Sequence, residues 1–234
     1  MPRLILLHSP LLGPQSWRPT AAELARRGRS MLTPRLPPLL EVTGGFYADL
    51  AAAAAAAIAA EGEEPAILAL HSAAGELAPS IAAALGAALA GVIFVDAILP
   101  HPGRSWLDTA PAALREQLTA GAQQGLLPAW DGWWPPGALE KLAPDADLRA
   151  ALIAELEPLP LAYFEEVAPE ITFDAPCAYL QLSGAYEEEG RRAVRLGWPV
   201  VRLPATHLAP ATQPRAVATA LETLTDRLCE RADA

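Results

Sequence analysis

Cysteine is scarce in this chain: Cys177 and Cys229 are the only two among 234 residues. Two cysteines so far apart make neither a disulfide framework nor a metal-ligand pair. Both stand beside apolar runs, as small buried hydrophobes do. Lysine is scarcer still. Lys141 is the single one, in a polar segment, so Schiff-base chemistry has one candidate amine. Basic residues are outnumbered, 17 against 27 acidic, for a formal net charge of −10. No basic stripe is available to neutralise phosphates, which argues against nucleic acid and anionic membranes as partners.

Long apolar runs are also missing. The stretch 51–60 stands out, but it is nearly all alanine, a strong helix former and a weak membrane residue. The N-terminal stretch 1–12 is apolar but short, with one arginine and no small-residue cleavage site, so no signal peptide is expected. A cytoplasmic protein is the expectation. The four histidines, His8, His71, His101 and His207, are dispersed and show no H-E-x-x-H spacing. There is no glycine loop for a phosphate; Gly44-Gly45 is a lone turn signal. No metal and no cofactor is expected.

What is present is a well-buried globular pattern, with 52% hydrophobic residues. Short apolar runs alternate with longer helical stretches. Strands are expected at 3–7, 30–33, 66–70, 92–95, 178–182 and 200–203. Helices are expected at 19–27, 47–60, from the end of the third strand to about 88, at 187–196 and at 214–228. Strands separated by helices imply right-handed crossovers and a parallel sheet. The strands lack polar alternation, as strands buried on both faces do. The expected fold class is therefore α/β: one domain over 1–234, a six-stranded mostly parallel sheet, and helices on both faces. About 80 residues separate the fourth and fifth strands, with helical patterns near 112–120 and 147–156. Residues 100–172 are read as a helical cap inserted at the carboxyl ends of the strands, where open α/β sheets bind ligands.

The sharpest local signal is Ala66-Ile-Leu-Ala-Leu-His71-Ser72-Ala73-Ala74-Gly75-Glu76. A buried strand runs into a turn of small residues and then a helix. A serine at such a turn is held up at the sheet edge, before a helix N-terminus that favours negative charge. The segment resembles the nucleophile elbow of the α/β-hydrolase superfamily. The family's G-x-S-x-G aligns on Leu70-His71-Ser72-Ala73-Ala74, with both glycines replaced. The resemblance extends over essentially the whole chain. His207 stands after the last strand and before the last helix, where the family carries its catalytic histidine. Leu4-Ile-Leu-Leu-His8-Ser9-Pro10-Leu11-Leu12-Gly13 takes the place of the family's oxyanion loop.

The resemblance implies a Ser–acid–His triad. Glu187 stands where the family usually has its acid, and Asp96, at the end of the fourth strand, is the alternative. Pro10 has no N–H to donate, so the oxyanion donors would be Leu11 and Ala73. His71 reads as structural. His101, at the base of the cap, could face the pocket, but nothing marks it as catalytic. Trp106, Trp130, Trp133 and Trp134, with Tyr163 and Phe164, suggest an aromatic lid, and with Pro10 they form the expected substrate pocket.

Three functions stay open on these residues. The first is a serine hydrolase acting on an ester, thioester or lactone of a small hydrophobic or aromatic substrate. The second is a lyase or cyclase using Ser72 and His207 as acid and base, favoured by the altered oxyanion loop. The third is a ligand-binding protein without catalysis. A small molecule is the expected partner, and a homodimer is compatible with every one of these.

Overall fold

The computed structural model describes residues 2–62 and 64–232; Met1, Glu63, Asp233 and Ala234 lie outside it. Strand β1 (Arg3–Leu7) leads through a loop to α1 (Arg18–Arg26) and β2 (Met31–Leu32). Then come α2 (Phe46–Ala60), β3 (Ala66–His71), a 3-10 turn (Ser72–Leu77) running into α3 (Ala78–Leu85), and β4 (Leu89–Val95). The interval before the next sheet strand holds α4 (Trp106–Thr109), α5 (Ala112–Gly121), β5 (Leu126–Leu127), α6 (Ala138–Leu142), α7 (Ala146–Ile153), β6 (Leu159–Pro160) and α8 (Leu161–Glu165). The chain finishes with β7 (Cys177–Gln181), α9 (Glu187–Arg195), β8 (Val200–Arg202), α10 (Ala209–Thr212) and α11 (Pro214–Ala232).

Six strands form one sheet in the order β2-β1-β3-β4-β7-β8, and every neighbouring pair is parallel. Successive side chains of a strand point to opposite faces. Leu4, Leu6, Ile67, Ala69, Ile93 and Val95 therefore meet α1 and α11, through Leu24, Val217 and Leu221. Ile5, Leu7, Leu68, Leu70, Val92 and Phe94 face the opposite side, with Leu50 of α2, Ile81 of α3 and Ala193 of α9. Both sets are apolar, which is why the strands show no polar alternation. Each fully buried leucine or isoleucine contributes about 1.5–3 kcal/mol over an exposed one.

Besides the short helices α4, α6, α8 and α10, the observed elements depart from the sequence reading in three places. The segment after β3 begins as a 3-10 turn, and α3 ends at Leu85 because Gly86 turns to φ +53°. β5 and β6 pair as an unexpected antiparallel ribbon. The last helix runs four residues past the expected end, to Ala232.

The interval between β4 and β7 is tied to the sheet domain by two carboxylates. Glu166 accepts the N–H groups of Phe46 and Tyr47 at 2.8 and 3.2 Å, capping α2, whose own N-cap is a glycine. Glu155 accepts from Gln15 N–H and from Arg35, both at 2.7 Å. Among the described residues, no helix is long and apolar enough to cross a membrane.

Candidate active site

Ser72 sits where β3 ends and the 3-10 turn begins, with φ +58°. A non-glycine residue in the left-handed region stores on the order of 1–3 kcal/mol and persists only where its surroundings enforce it. The enforcement is visible. Ser72 O accepts the Ile98 N–H at 3.2 Å, so the turn is laced to the loop after β4. Gly75 packs so close to that loop that a Cβ would stand 2.1 Å from Ile98 O. The small residue that this elbow requires is therefore Gly75, one position beyond the family's last glycine. The same loop carries Asp96 at φ +43°, and the Tyr179 hydroxyl clasps Ala97 through its N–H and its C=O, at 3.1 and 2.9 Å.

Asp96 is fully buried and accepts four hydrogen bonds. Oδ1 takes the N–H groups of Leu182 and Ser183, both at 2.9 Å. Oδ2 takes the Ser183 hydroxyl at 2.6 Å and His207 Nδ1 at 2.9 Å. Burial pushes its carboxyl pKa up, but the bonds from His207 and Ser183 outweigh it, and the net shift is down. An ionised Asp96 makes Nδ1 the protonated nitrogen of His207. Nε2 is then free to accept a proton, the tautomer that a general base needs.

Glu187 does not reach this histidine. The 3-10 turn Gly184–Tyr186 carries Tyr186 inward and starts α9 on an exposed face. The Glu187 carboxylate pairs instead with Arg191, one helical turn on, at 2.7 Å. Three glutamates in the first turn of α9 suit the helix dipole. Between the two carboxylates weighed from the sequence, the structure brings Asp96 to His207.

His71 points inward, fully buried, with Nε2 donating to His207 O at 2.9 Å. Burial, then the nearby His207, lowers its pKa to about 3, so it is neutral and braces the His207 loop. His8 is likewise held neutral by burial. Its Nδ1–H donates to Ser9 O at 2.8 Å and its Nε2 accepts the Leu36 N–H at 3.1 Å.

The two expected oxyanion donors differ. Leu11 N–H already donates to Ser9 Oγ at 3.2 Å. Ala73 N–H, in the first turn after Ser72, has no intrahelical acceptor. Pro10 and Leu11 line a cavity of about 40 Å³ with His8, Leu36 and Leu159, room for about one water.

Tyr186 is a neighbour that sequence reasoning missed. Its hydroxyl lies 3.3 Å from Ser72 Oγ, and its ring stacks on His207 at 5.0 Å and 8°. Among the described residues no hydrogen bond joins Ser72 to His207 directly. Of the four tryptophans, Trp130 comes nearest His207, with ring centres 6.3 Å apart, and the partly exposed Trp134 packs edge-on against Trp130. Trp106 and Trp133 pack on Phe164 instead.

A second buried polar group lies four residues beyond Ser72. Glu76 Oε2 takes His101 Nε2 at 3.0 Å, and Oε1 takes the Tyr163 hydroxyl. His101 Nδ1 faces Arg104 O at 3.0 Å, so both ring nitrogens meet acceptors. Burial lowers the His101 pKa, but the bond to Glu76 and its charge outweigh it and the net shift is up. The pair locks the elbow segment to the β4–β7 interval. Its sequence signal was available: Glu76 is the one charged residue between Ser72 and Leu85.

No protein-family model matches the chain, and no curated protein does. Solved structures do match, over nearly the full length of both chains. An extracellular α/β-hydrolase from a Paenibacillus species, described as sharing structural and functional homology with tobacco salicylic acid binding protein 2, superposes with TM-score 0.77 at 19% identity, covering 96% of this chain and 99% of that one. Tomato methylketone synthase I, in complex with 2-tridecanone, gives 0.73 at 14% identity, over 97% and 98%. A pyrethroid hydrolase from Sphingobium faniae JZ-2 gives 0.70 at 19% identity, over 98% and 99%. The chain has the α/β-hydrolase fold.

Proposed function

We propose that the chain is a serine hydrolase with Ser72 as nucleophile, His207 as general base and Asp96 as the acid that orients it. The observation that carries this reading is the pairing of a strained Ser72 elbow at φ +58° with the 2.9 Å Asp96–His207 bond. His207 Nε2 takes the Ser72 proton as Oγ bonds to the substrate carbonyl carbon. The carbonyl π pair moves onto oxygen, beside Ala73 N–H. Collapse expels the leaving group, which receives the proton from His207. Water then repeats the sequence on the acyl-enzyme, releasing the acid and restoring Ser72.

Residues 100–172 act as the cap. Trp130, with Trp134 outside it, gives the His207 side an apolar aromatic wall. An ester, thioester or lactone with a small hydrophobic or aromatic acyl or leaving group fits such a wall. The test is pre-steady-state turnover of 4-nitrophenyl butyrate. A burst of one 4-nitrophenolate per chain, with a butyryl mass increment on Ser72, supports the reading. Its absence from wild-type protein, or its persistence in Ser72→Ala, sinks it.

One observation favours a second reading, acid/base chemistry without an acyl-enzyme. Ser72 Oγ is bonded to Tyr186 and Leu11 N–H to Ser9, so the pair for acyl transfer is incomplete at rest. Methylketone synthase, with the same fold, has been solved with β-ketoheptanoate bound in a variant. Decarboxylation of a β-keto acid by this chain, with no acyl mass increment on Ser72 during turnover, would favour that reading over acyl transfer.

A further inference from the structure

We propose that the Tyr186 hydroxyl is an oxyanion donor of this site, standing in for the backbone donor that the loop after β1 does not supply. The inference rests on Ser72 being the nucleophile. In that loop Pro10 has no N–H, Leu11 N–H is engaged by Ser9 Oγ at 3.2 Å, and Leu12 N–H by Ser9 O at 2.9 Å. With Leu11 and Leu12 engaged, Ala73 N–H is left as the backbone donor of this hole. A single donor makes a weak hole.

Tyr186 meets what a second donor needs. Its oxygen is 3.3 Å from Ser72 Oγ, and the oxyanion forms on the carbon that bonds to this same Oγ. Its ring is clamped flat against His207, so the hydroxyl is held in place before substrate arrives. Burial raises the phenol pKa, with the negative charge of Asp96 adding to it and the Ser72 bond opposing. The group therefore stays protonated and neutral at working pH, able to donate. As the Ser72 proton passes to His207 and the carbonyl oxygen gains its electron pair, the Tyr186 O–H turns from Ser72 Oγ to that oxygen. It donates a hydrogen bond and keeps its proton. No atom is transferred to or from Tyr186.

The test compares wild type with Tyr186→Phe, which keeps the ring on His207 and removes the hydroxyl alone. Three readings are taken on each: kcat and KM for 4-nitrophenyl butyrate, affinity for an aryl trifluoromethyl ketone, and fluorophosphonate labelling of Ser72. The ketone forms a hemiketal oxyanion on the serine, so it reports donors directly. The expected result is a kcat lower by about 10²-fold with KM unchanged, and a parallel loss of ketone affinity. A Phe variant with unchanged or higher kcat overturns the inference, since Tyr186 would then only cover Ser72. A raised KM at unchanged kcat also overturns it, because Tyr186 would serve binding alone. If wild type itself takes no label on Ser72, the nucleophile reading fails first and the Tyr186 inference falls with it. Circular dichroism melting of both proteins checks that the fold is common to them.

Discussion

Asp96→Asn is the perturbation that probes the site most fully. The carboxylate is fully buried and accepts from Leu182 N–H, Ser183 N–H, Ser183 Oγ and His207 Nδ1. Asparagine keeps an oxygen for the two backbone donors, and Ser183 Oγ can turn to accept from the new NH₂. What disappears is the charge. A hydrogen bond to a charged group contributes about 1.5–3 kcal/mol against about 0.5–1.5 for a neutral one. Set against relief of burying the charge, the net loss is about 2–3 kcal/mol. For a chain of this size that lowers Tm by roughly 4–12 °C. The effect on turnover is larger. An NH₂ facing Nδ1 forces the proton to Nε2, the nitrogen that must accept from Ser72, and kcat falls about 10⁴-fold. Because the folded-state pKa of Asp96 is lowered, its stabilisation is present above the unfolded value near ~3.9 and is lost as pH falls through the folded value. The stability gap between wild type and Asp96→Asn therefore closes in acid. Ester hydrolysis by Asp96→Asn and Glu187→Gln, with melting from pH 3 to 8, reads all of this. Ester hydrolysis by Asp96→Asn within tenfold of wild type, or a comparable loss in Glu187→Gln, would refute the assignment.

Four further outcomes follow from the same geometry. His101 has a raised folded pKa; it faces Glu76, which also takes the Tyr163 hydroxyl, and it lies within electrostatic reach of Glu189. Its stabilisation is complete below the unfolded value near ~6.5 and is lost as pH rises through the folded value; Tm should drop on that alkaline side, and His101→Gln should flatten the profile. Glu76→Gln breaks a buried pair and should cost about 3 kcal/mol or more in a denaturant titration. Gly75→Ala drives a Cβ to 2.1 Å from Ile98 O, so the elbow must shift; a loss of about 1–3 kcal/mol with reduced Ser72 labelling is expected, and a neutral change would remove the packing argument. Trp130→Ala should raise KM for aryl esters about tenfold and leave acetyl esters nearly unchanged in steady-state assays.

The sheet was legible because its chemistry is local. Strands buried on both faces are continuous apolar runs, and the helices between them force parallel pairing; each expected strand is found within three residues of its place. The places of Ser72 and His207 along the chain were legible. Which carboxylate meets His207 was not. Asp96 is defined by donors at Leu182 and Ser183, 86 and 87 positions away, and no sequence spacing encodes them. The rotation of the Gly184–Tyr186 turn decides whether Tyr186 or Glu187 faces inward, and a three-residue turn carries no periodicity to read. The tryptophans are a similar case. Their composition announced an aromatic cluster, but which ring meets His207 depends on the packing of Phe164 against Trp106 and Trp133.

Intact-mass analysis after fluorophosphonate treatment asks whether Ser72 is an activated nucleophile. One adduct per chain is expected on wild type, none on Ser72→Ala, and strongly slowed labelling of Asp96→Asn. Folded wild-type protein that takes no adduct, or an adduct that survives in Ser72→Ala, would contradict the nucleophile reading.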